Sequence, residues 1–216
     1  MTAGEAPPTT EAELRSYYEA EAGLASRKAR GGVRADLVRH FAELVAAEGR
    51  RSVVDFGSGP GHDLAVFAAA GLDAVGVDLA IGNARLAAEL GATVLPGSIL
   101  RPPLRRGSMA AGWSTSVLMH LDADECARAL AAMVATLEPG APLLIGMWGR
   151  VDDGTGHEVD AKIAGERRSF HARPLARNRA LLAGFGRVEQ SVTRDDWGPD
   201  PSWRYQLFRL RTAASR

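Results

Sequence analysis

The 216-residue chain has one cysteine, two lysines, no net charge and only 6% aromatic residues, and each scarcity excludes something. A lone cysteine, Cys126, leaves no internal disulfide framework and no multi-cysteine zinc site, which points to a reducing compartment. With 26 basic residues against 26 acidic ones, no whole-molecule positive field exists to hold nucleic acid or an anionic membrane. The arginines are scattered and not interleaved with aromatics, so the pattern of a single-strand binder is missing as well. Their excess over lysine reads as codon bias. No apolar run approaches the roughly 20 residues needed to cross a bilayer. The acidic start MTAGEAPPTTEAE has neither the basic nor the apolar region of a secretion signal. These absences lead us to expect a cytoplasmic protein with a small-molecule partner, no nucleic acid and no membrane.

What is present is ordinary for one soluble domain: 46% hydrophobic and 24% charged residues, in a chain long enough to bury about 70% of its unfolded surface. Residues 1–10 hold Pro7, Pro8 and three threonines and read as a flexible tail. Residues 11–216 read as a single domain. EAELRSYYEAEAGLA has a helix-favouring composition, and beyond Gly31 and Gly32 a second helix carries Leu37, Phe41, Leu44 and Val45 at helical spacing. From residue 51 to 96 strand and helix alternate: SVVDF, HDLAVFAAAG, DAVGVDL, ARLAAELG, ATVLP. That is βαβαβ, half of a doubly wound α/β sheet. MAAGWSTS is a fourth strand, residues 123–137 a helix, and APLLIGMW a fifth strand. An irregular loop is expected over 149–170, then a short helix between Pro174 and Gly184, and two last strands, RVEQSVTRD and WRYQLFRLR.

The chemical signal lies in the loop Asp55-Phe56-Gly57-Ser58-Gly59-Pro60-Gly61-His62. Its glycines allow a sharp turn and close approach to a ligand, in front of a helix that presents free N–H groups. A third dinucleotide-type glycine would stand at position 62, which is histidine, so the spacing counts against a nicotinamide cofactor. No Lys-Ser or Lys-Thr follows, so this is not a phosphate-cradling loop either. Asp78 ends the second strand, 21 residues after Gly57, where a carboxylate can accept from the two hydroxyls of an adenosine ribose.

VVDFGSGPG and VGVDLA, continued by PGSI, GWSTSVLMHL and LEPGAPLLIGMW, resemble the class I, seven-stranded S-adenosylmethionine-dependent methyltransferases over roughly residues 34 to 212. The resemblance implies a mostly parallel seven-stranded sheet with an antiparallel last strand and an N-terminal helical cap, residues 11–48, forming part of the acceptor pocket. It implies S-adenosylmethionine as cofactor and S-adenosylhomocysteine as product. It places Gly57, Ser58, Gly59 and Gly61 along the methionine part, Asp55 beneath the loop, Asp78 on the ribose, Leu79, Ser98 and Ile99 at the adenine, and the Ser114 carbonyl at the methionine ammonium. The sequence departs from the family at Ser98, where an aspartate is common, and at Ser108-Met109-Ala110, where an acidic residue usually opens strand four.

Methyl transfer needs an in-line acceptor and no protein nucleophile or metal, and a base helps when the acceptor loses a proton. His120, at the carboxyl edge of strand four, is the first candidate, with Tyr17 or Tyr18 orienting it. His62 stands at the head of a helix that it can cap. His157, Glu158 and Asp160 match no metal-ligand spacing, so no metal is expected. His171 and Cys126 read as structural. Trp113, Trp148, Trp197, Trp203 and Phe170 are candidates for core or for an apolar acceptor wall. An aromatic acceptor is favoured, and more weakly the chain looks like bacterial indole C3-methyltransferases acting on tryptophan-derived cyclic dipeptides. A nicotinamide-dependent oxidoreductase and a protein that binds the cofactor without transfer are the rivals.

Overall fold

The computed structural model describes residues 9–24, 33–151, 156–160, 162–194 and 202–214. In chain order it contains α1 (Glu11–Gly23), α2 (Val33–Ala47), β1 (Ser52–Phe56), α3 (His62–Ala69), β2 (Asp73–Asp78), α4 (Ile81–Glu89) and β3 (Thr93–Pro96). It continues with β4 (Ala111–Thr115), a 3-10 turn (Leu118–His120), α5 (Ala123–Thr136) and β5 (Pro142–Arg150). Last come β6 (Gly156–Asp160), β7 (Arg168–Ala172), α6 (Leu175–Ala183), β8 (Arg187–Arg194) and β9 (Trp203–Arg211).

Seven strands form one sheet in the order β3-β2-β1-β4-β5-β9-β8. The first five are parallel, and β9 runs antiparallel to both its neighbours. The expected doubly wound sheet with an antiparallel last strand is therefore present. β1 and β4 are apolar because both sheet faces are covered. On one face Val53 and Trp113 pack with Val38, Phe41 and Val45 of α2 and with Phe67 of α3. On the other, Val54 and Phe56 pack with Leu130 and Met133 of α5 and with Leu143, Ile145 and Phe208. Each such side chain contributes about 1.5–3 kcal/mol by leaving water. Among the described residues no helix is long and apolar enough to cross a membrane.

α1 is attached differently. Only Leu14 and Tyr17 of its thirteen residues are buried, so packing alone holds it weakly. Thr10 caps it in a reciprocal box with Glu13. The Glu19 carboxylate accepts from the Gly82 N–H at 3.0 Å through both oxygens. This closes the first turn of α4, whose N-cap, Ala80, offers no side-chain acceptor. Ser16 Oγ donates to Glu166 at 2.9 Å.

Two expectations are corrected. The tail read over residues 1–10 ends sooner, since Thr10 is the cap of α1 and Thr9 is 5% exposed. Thr9 and Ser169 exchange hydrogen bonds, Thr9 N–H to Ser169 Oγ at 2.7 Å and Ser169 N–H to Thr9 Oγ1 at 2.9 Å. Residues 1–8 lie outside the described residues. The loop read over 149–170 contains a two-stranded antiparallel ribbon, β6 with β7, in which Gly156 faces Ala172 and His157 faces His171. HEVD and RSFHA carry polar residues on both faces, so no clean alternation marks them as strands.

At the end of the sheet away from the glycine loop, Arg211 joins two carboxylates. It donates to Glu48 at 2.6 and 2.7 Å and to Glu189 at 3.2 Å. These hydrogen bonds hold both glutamates below their ordinary range, against a smaller cost of burial. A carboxylate lowered in the folded state stabilises the fold above its unfolded value and loses that contribution as the pH falls through it. Thermal unfolding followed from pH 7 to pH 3 should therefore show a decline beginning near the 4.5 of an ordinary glutamate, and Arg211→Met should flatten it. Unchanged pH dependence in the variant would mean that the cluster adds nothing to stability.

Candidate active site

The chain leaves β1 on one side toward β2 and β3 and returns on the other as β4, so the carboxyl ends of β1 and β4 part and open a crevice. The glycine loop lies across that opening. Gly57 sits at φ +77°, and a Cβ there would stand 2.2 Å from Val117 Cγ2, so only glycine fits. Its N–H donates to the Val77 carbonyl at 2.7 Å. Asp78, at the end of β2, fixes the loop's second half by accepting from the Gly59 N–H at 2.8 Å. It also accepts from the Ala80 N–H at 3.0 Å and from Asn83 Nδ2 at 2.9 Å. Three of the carboxylate's about four acceptor sites are thereby engaged, which leaves one, on Oδ2.

Behind the loop, α3 contributes Asp63. Arg34 of α2 holds it with two hydrogen bonds, at 3.1 and 2.6 Å, and Trp113 Nε1 donates to it at 3.0 Å. Arg34 Nη2 also donates to Thr115 Oγ1 at 2.6 Å, tying α2 to the end of β4. Asp55 lies beneath, 2% exposed. Its burial, with the charges of Asp63 and Asp78 nearby, pushes the carboxyl well above the ordinary range, and Arg34 only partly offsets this.

Across the cleft His120 is fixed by both ring nitrogens. Nδ1 lies 2.7 Å from the Ser169 carbonyl, and Nε2 lies 2.7 Å from the Tyr18 hydroxyl. A carbonyl only accepts, so Nδ1 carries the proton, and in the neutral ring Nε2 accepts from Tyr18. Arg168 of β7 donates to the same hydroxyl at 3.4 Å, and its guanidinium lies 4.6 Å from the Tyr17 ring centre and 5.0 Å from that of Phe170. The strand end between the two halves carries Ser116 at φ +63°, the one non-glycine in the left-handed region among the described residues.

A cavity of about 230 Å³ joins these groups. Of the residues expected from sequence, Gly57, Ser58, Gly59, Asp78, Leu79, Ser98, Ile99, Tyr18 and His120 line it, and His62 does too. Four others do not. Asp55 is under the loop, as expected, and forms no part of the wall. Gly61 caps α3, and a Cβ there would stand 3.2 Å from those of Ala87 and Ala92, so it serves packing. Ser114 is still within the sheet, and its hydroxyl donates to the Phe56 carbonyl at 3.0 Å; the wall begins one residue later, at Thr115 and Ser116. Tyr17 is 2% exposed and packs under Arg168, so Tyr18 alone meets His120. Trp113 is core, while Phe170 and Trp203 meet edge to face with ring centres 6.4 Å apart. Cys126 is buried, its thiol pushed up to about 11 by burial. Trp197 and the side chains of His157, Glu158 and Asp160 lie outside the described residues. Sequence reasoning missed Glu11, Arg34, Asp63 and Arg168; a helical wheel of α1 would have set Glu11 beside Tyr18, whereas nothing local marks the others.

A family model described as a methyltransferase domain matches residues 53–140. No curated protein matches the sequence. Among solved structures, the chain is similar to the Burkholderia thailandensis 1,6-didemethyltoxoflavin-N1-methyltransferase with bound 1,6-didemethyltoxoflavin and S-adenosylhomocysteine. The identity is 21% and the TM-score 0.73, over 97% of this chain and 93% of that one. It is also similar to a (4+2)-cyclase, with 14% identity and TM-score 0.72 over 97% and 99%. The magnesium protoporphyrin IX methyltransferase of Synechocystis PCC 6803 with bound S-adenosylmethionine shares 12% identity and TM-score 0.68 over 97% and 100%. At these identities the likeness is one of fold.

The environment of Asp55 yields a test. A carboxyl raised in the folded state leaves stability intact below the unfolded value, near 3.8, and costs stability as the pH rises from there through the folded value. Asp55→Asn removes the charge and keeps the shape. Its melting temperature relative to wild type should climb as the pH is raised from about 4 to 7, as calorimetry would register. A difference that shrinks over that range would show that the buried charge is stabilised.

Proposed function

We propose that this chain is a class I, S-adenosylmethionine-dependent methyltransferase and that it methylates an aromatic small molecule whose acidic proton leaves through Tyr18 to His120. The observation that carries this reading is the position of Nε2: it is presented through the Tyr18 hydroxyl to the same cavity that the glycine loop lines. In the proposed arrangement Gly57, Ser58 and Gly59 face the methionine part of the cofactor, Arg34 its carboxylate, Asp78 the ribose, and Leu79, Ser98 and Ile99 the adenine.

The transfer is a displacement at carbon. The acceptor atom forms a bond to the methyl group as the bond to sulfur breaks, the sulfonium becomes the neutral thioether of S-adenosylhomocysteine, and the acceptor's proton ends on His120 Nε2 by way of Tyr18. Ser169 supports the step because its carbonyl accepts the hydrogen bond from Nδ1–H and so keeps the lone pair on Nε2, facing the Tyr18 hydroxyl. An indole fits this scheme: C3 attacks the methyl group while the ring N–H gives up its proton, and the product is a neutral imine. A tryptophan-derived cyclic dipeptide is the form of indole we favour. A phenol, attacking through oxygen, would use the same relay. Positioning supplies most of the rate, and the relay a further factor of about 10² to 10⁴.

The test is mass spectrometry after incubation with methyl-labelled S-adenosylmethionine and a panel of indoles, cyclic dipeptides, phenols and amines. Label on an indole is expected, with His120→Ala losing about 10² or more of kcat, Tyr18→Phe losing less, and Tyr17→Phe close to wild type. Label on amines alone would discard the aromatic reading. Binding of the cofactor with no label on any acceptor would leave a protein that binds without transferring.

A further inference from the structure

One face of α1 enters the cleft: Glu11, Leu14, Tyr18 and Glu21 all line it, three, seven and ten residues apart from the first, which is one stripe of a helix. At one end of the cleft this stripe meets Leu79, Ser98, Ile99 and Leu100. Leu14, Leu79, Ile99 and Leu100 make that end apolar and suited to a flat ring. The carboxylate of Glu11 stands at its edge, accepting from the Ser98 hydroxyl. Ser98 Oγ in turn accepts from the Leu100 N–H at 3.0 Å. Its single proton is thus given to Glu11, and one of its two lone pairs is taken by the backbone. The carboxylate has more acceptor capacity to spare than the one lone pair left on Ser98, since its second oxygen has the distant contact with Arg15 at 3.9 Å.

We infer that Glu11 accepts a hydrogen bond from the exocyclic amine of the cofactor's adenine. The inference rests on the cleft being the cofactor site, with adenine at the Ser98 end. An adenine amine is a donor that needs an acceptor when its ring is buried among leucines. Glu11 supplies it from outside the αβ core, on a helix that otherwise buries two side chains. The ligand therefore forms part of the packing of α1. Tyr18 lies two turns along the same stripe, with its hydroxyl 2.7 Å from His120 Nε2.

The experiment compares S-adenosylhomocysteine with its purine analogue in which hydrogen replaces the 6-amino group. Affinities for both are measured by titration calorimetry on wild type, Glu11→Ala and the double variant Glu11→Ala with Ser98→Asp. Alanine keeps the helix propensity, and an aspartate at 98 returns a carboxylate to the place that Ser98 now holds Glu11. Wild type should prefer S-adenosylhomocysteine by about tenfold or more, the range of a hydrogen bond to a charged group. Glu11→Ala should bind the two ligands alike, and the double variant should regain the preference. A preference that survives in Glu11→Ala, or equal weakening of both ligands there, would overturn the assignment while leaving the cofactor site in place. Failure of wild type to bind S-adenosylhomocysteine at all would overturn the cofactor reading and this inference with it.

Discussion

Everything in the cleft depends on the parting of the chain on either side of β1. Because β2 and β3 are laid down on one edge and β4 and β5 on the other, no crossover helix can close the space above the carboxyl ends of β1 and β4. The glycine loop leaves β1 into that space, Asp78 reaches it from β2, and His120 follows β4 into it. Each group is short and close to a strand end, so the rigid sheet sets the distances among them. Ser116 shows the cost: a non-glycine residue is held at φ +63° where β4 turns out of the sheet, a conformation that persists because the surroundings determine it. Its hydroxyl 3.0 Å from that of Tyr205 and its N–H to the Gly146 carbonyl at 2.7 Å are those surroundings.

The other wall is made of contacts of a different kind. α1 and β7 cover the cleft, and they are joined by polar pairs: Thr9 with Ser169, Ser16 with Glu166, Arg168 with Glu21. The Thr9 pair matters most, because the carbonyl of the same Ser169 fixes the tautomer of His120. Thr9 thus bears on the orientation of the imidazole from a distance, through one strand residue that is fully buried. The Ser16 pair is exposed and contributes about 0–1 kcal/mol, whereas the Thr9–Ser169 pair is buried, where breaking a hydrogen bond costs more.

What was legible in the sequence followed from periodicity and from glycine. The βαβ alternation, the loop at 57–61, Asp78 and the helix between Pro174 and Gly184 all express local rules, and the structure has each of them. The β6–β7 ribbon was not legible, since its residues alternate in no clean pattern and what orders it is distant in sequence: the strand pairing itself and the contacts of Ser169 with Thr9 and His120. Nor could Arg34 be told from the other arginines, because its meaning lies in Asp63, which is 29 residues away. Ser114 was placed one residue early: a strand end is set by where the sheet stops pairing, and Thr115 still pairs with Gly146. The tail was drawn too long because threonines and prolines read as polar filler until Ser169, 160 residues on, gives Thr9 its partners.

The charge of the cleft completes the account. Four carboxylates, Glu11, Glu21, Asp63 and Asp78, line it against two guanidiniums, Arg34 and Arg168. Arg34 is committed to Asp63 and Arg168 lies beside Glu21, so Glu11 and Asp78 remain to set the local field. A sulfonium carries one positive charge, and a partly desolvated pocket of net negative charge favours it over the neutral thioether that transfer leaves behind.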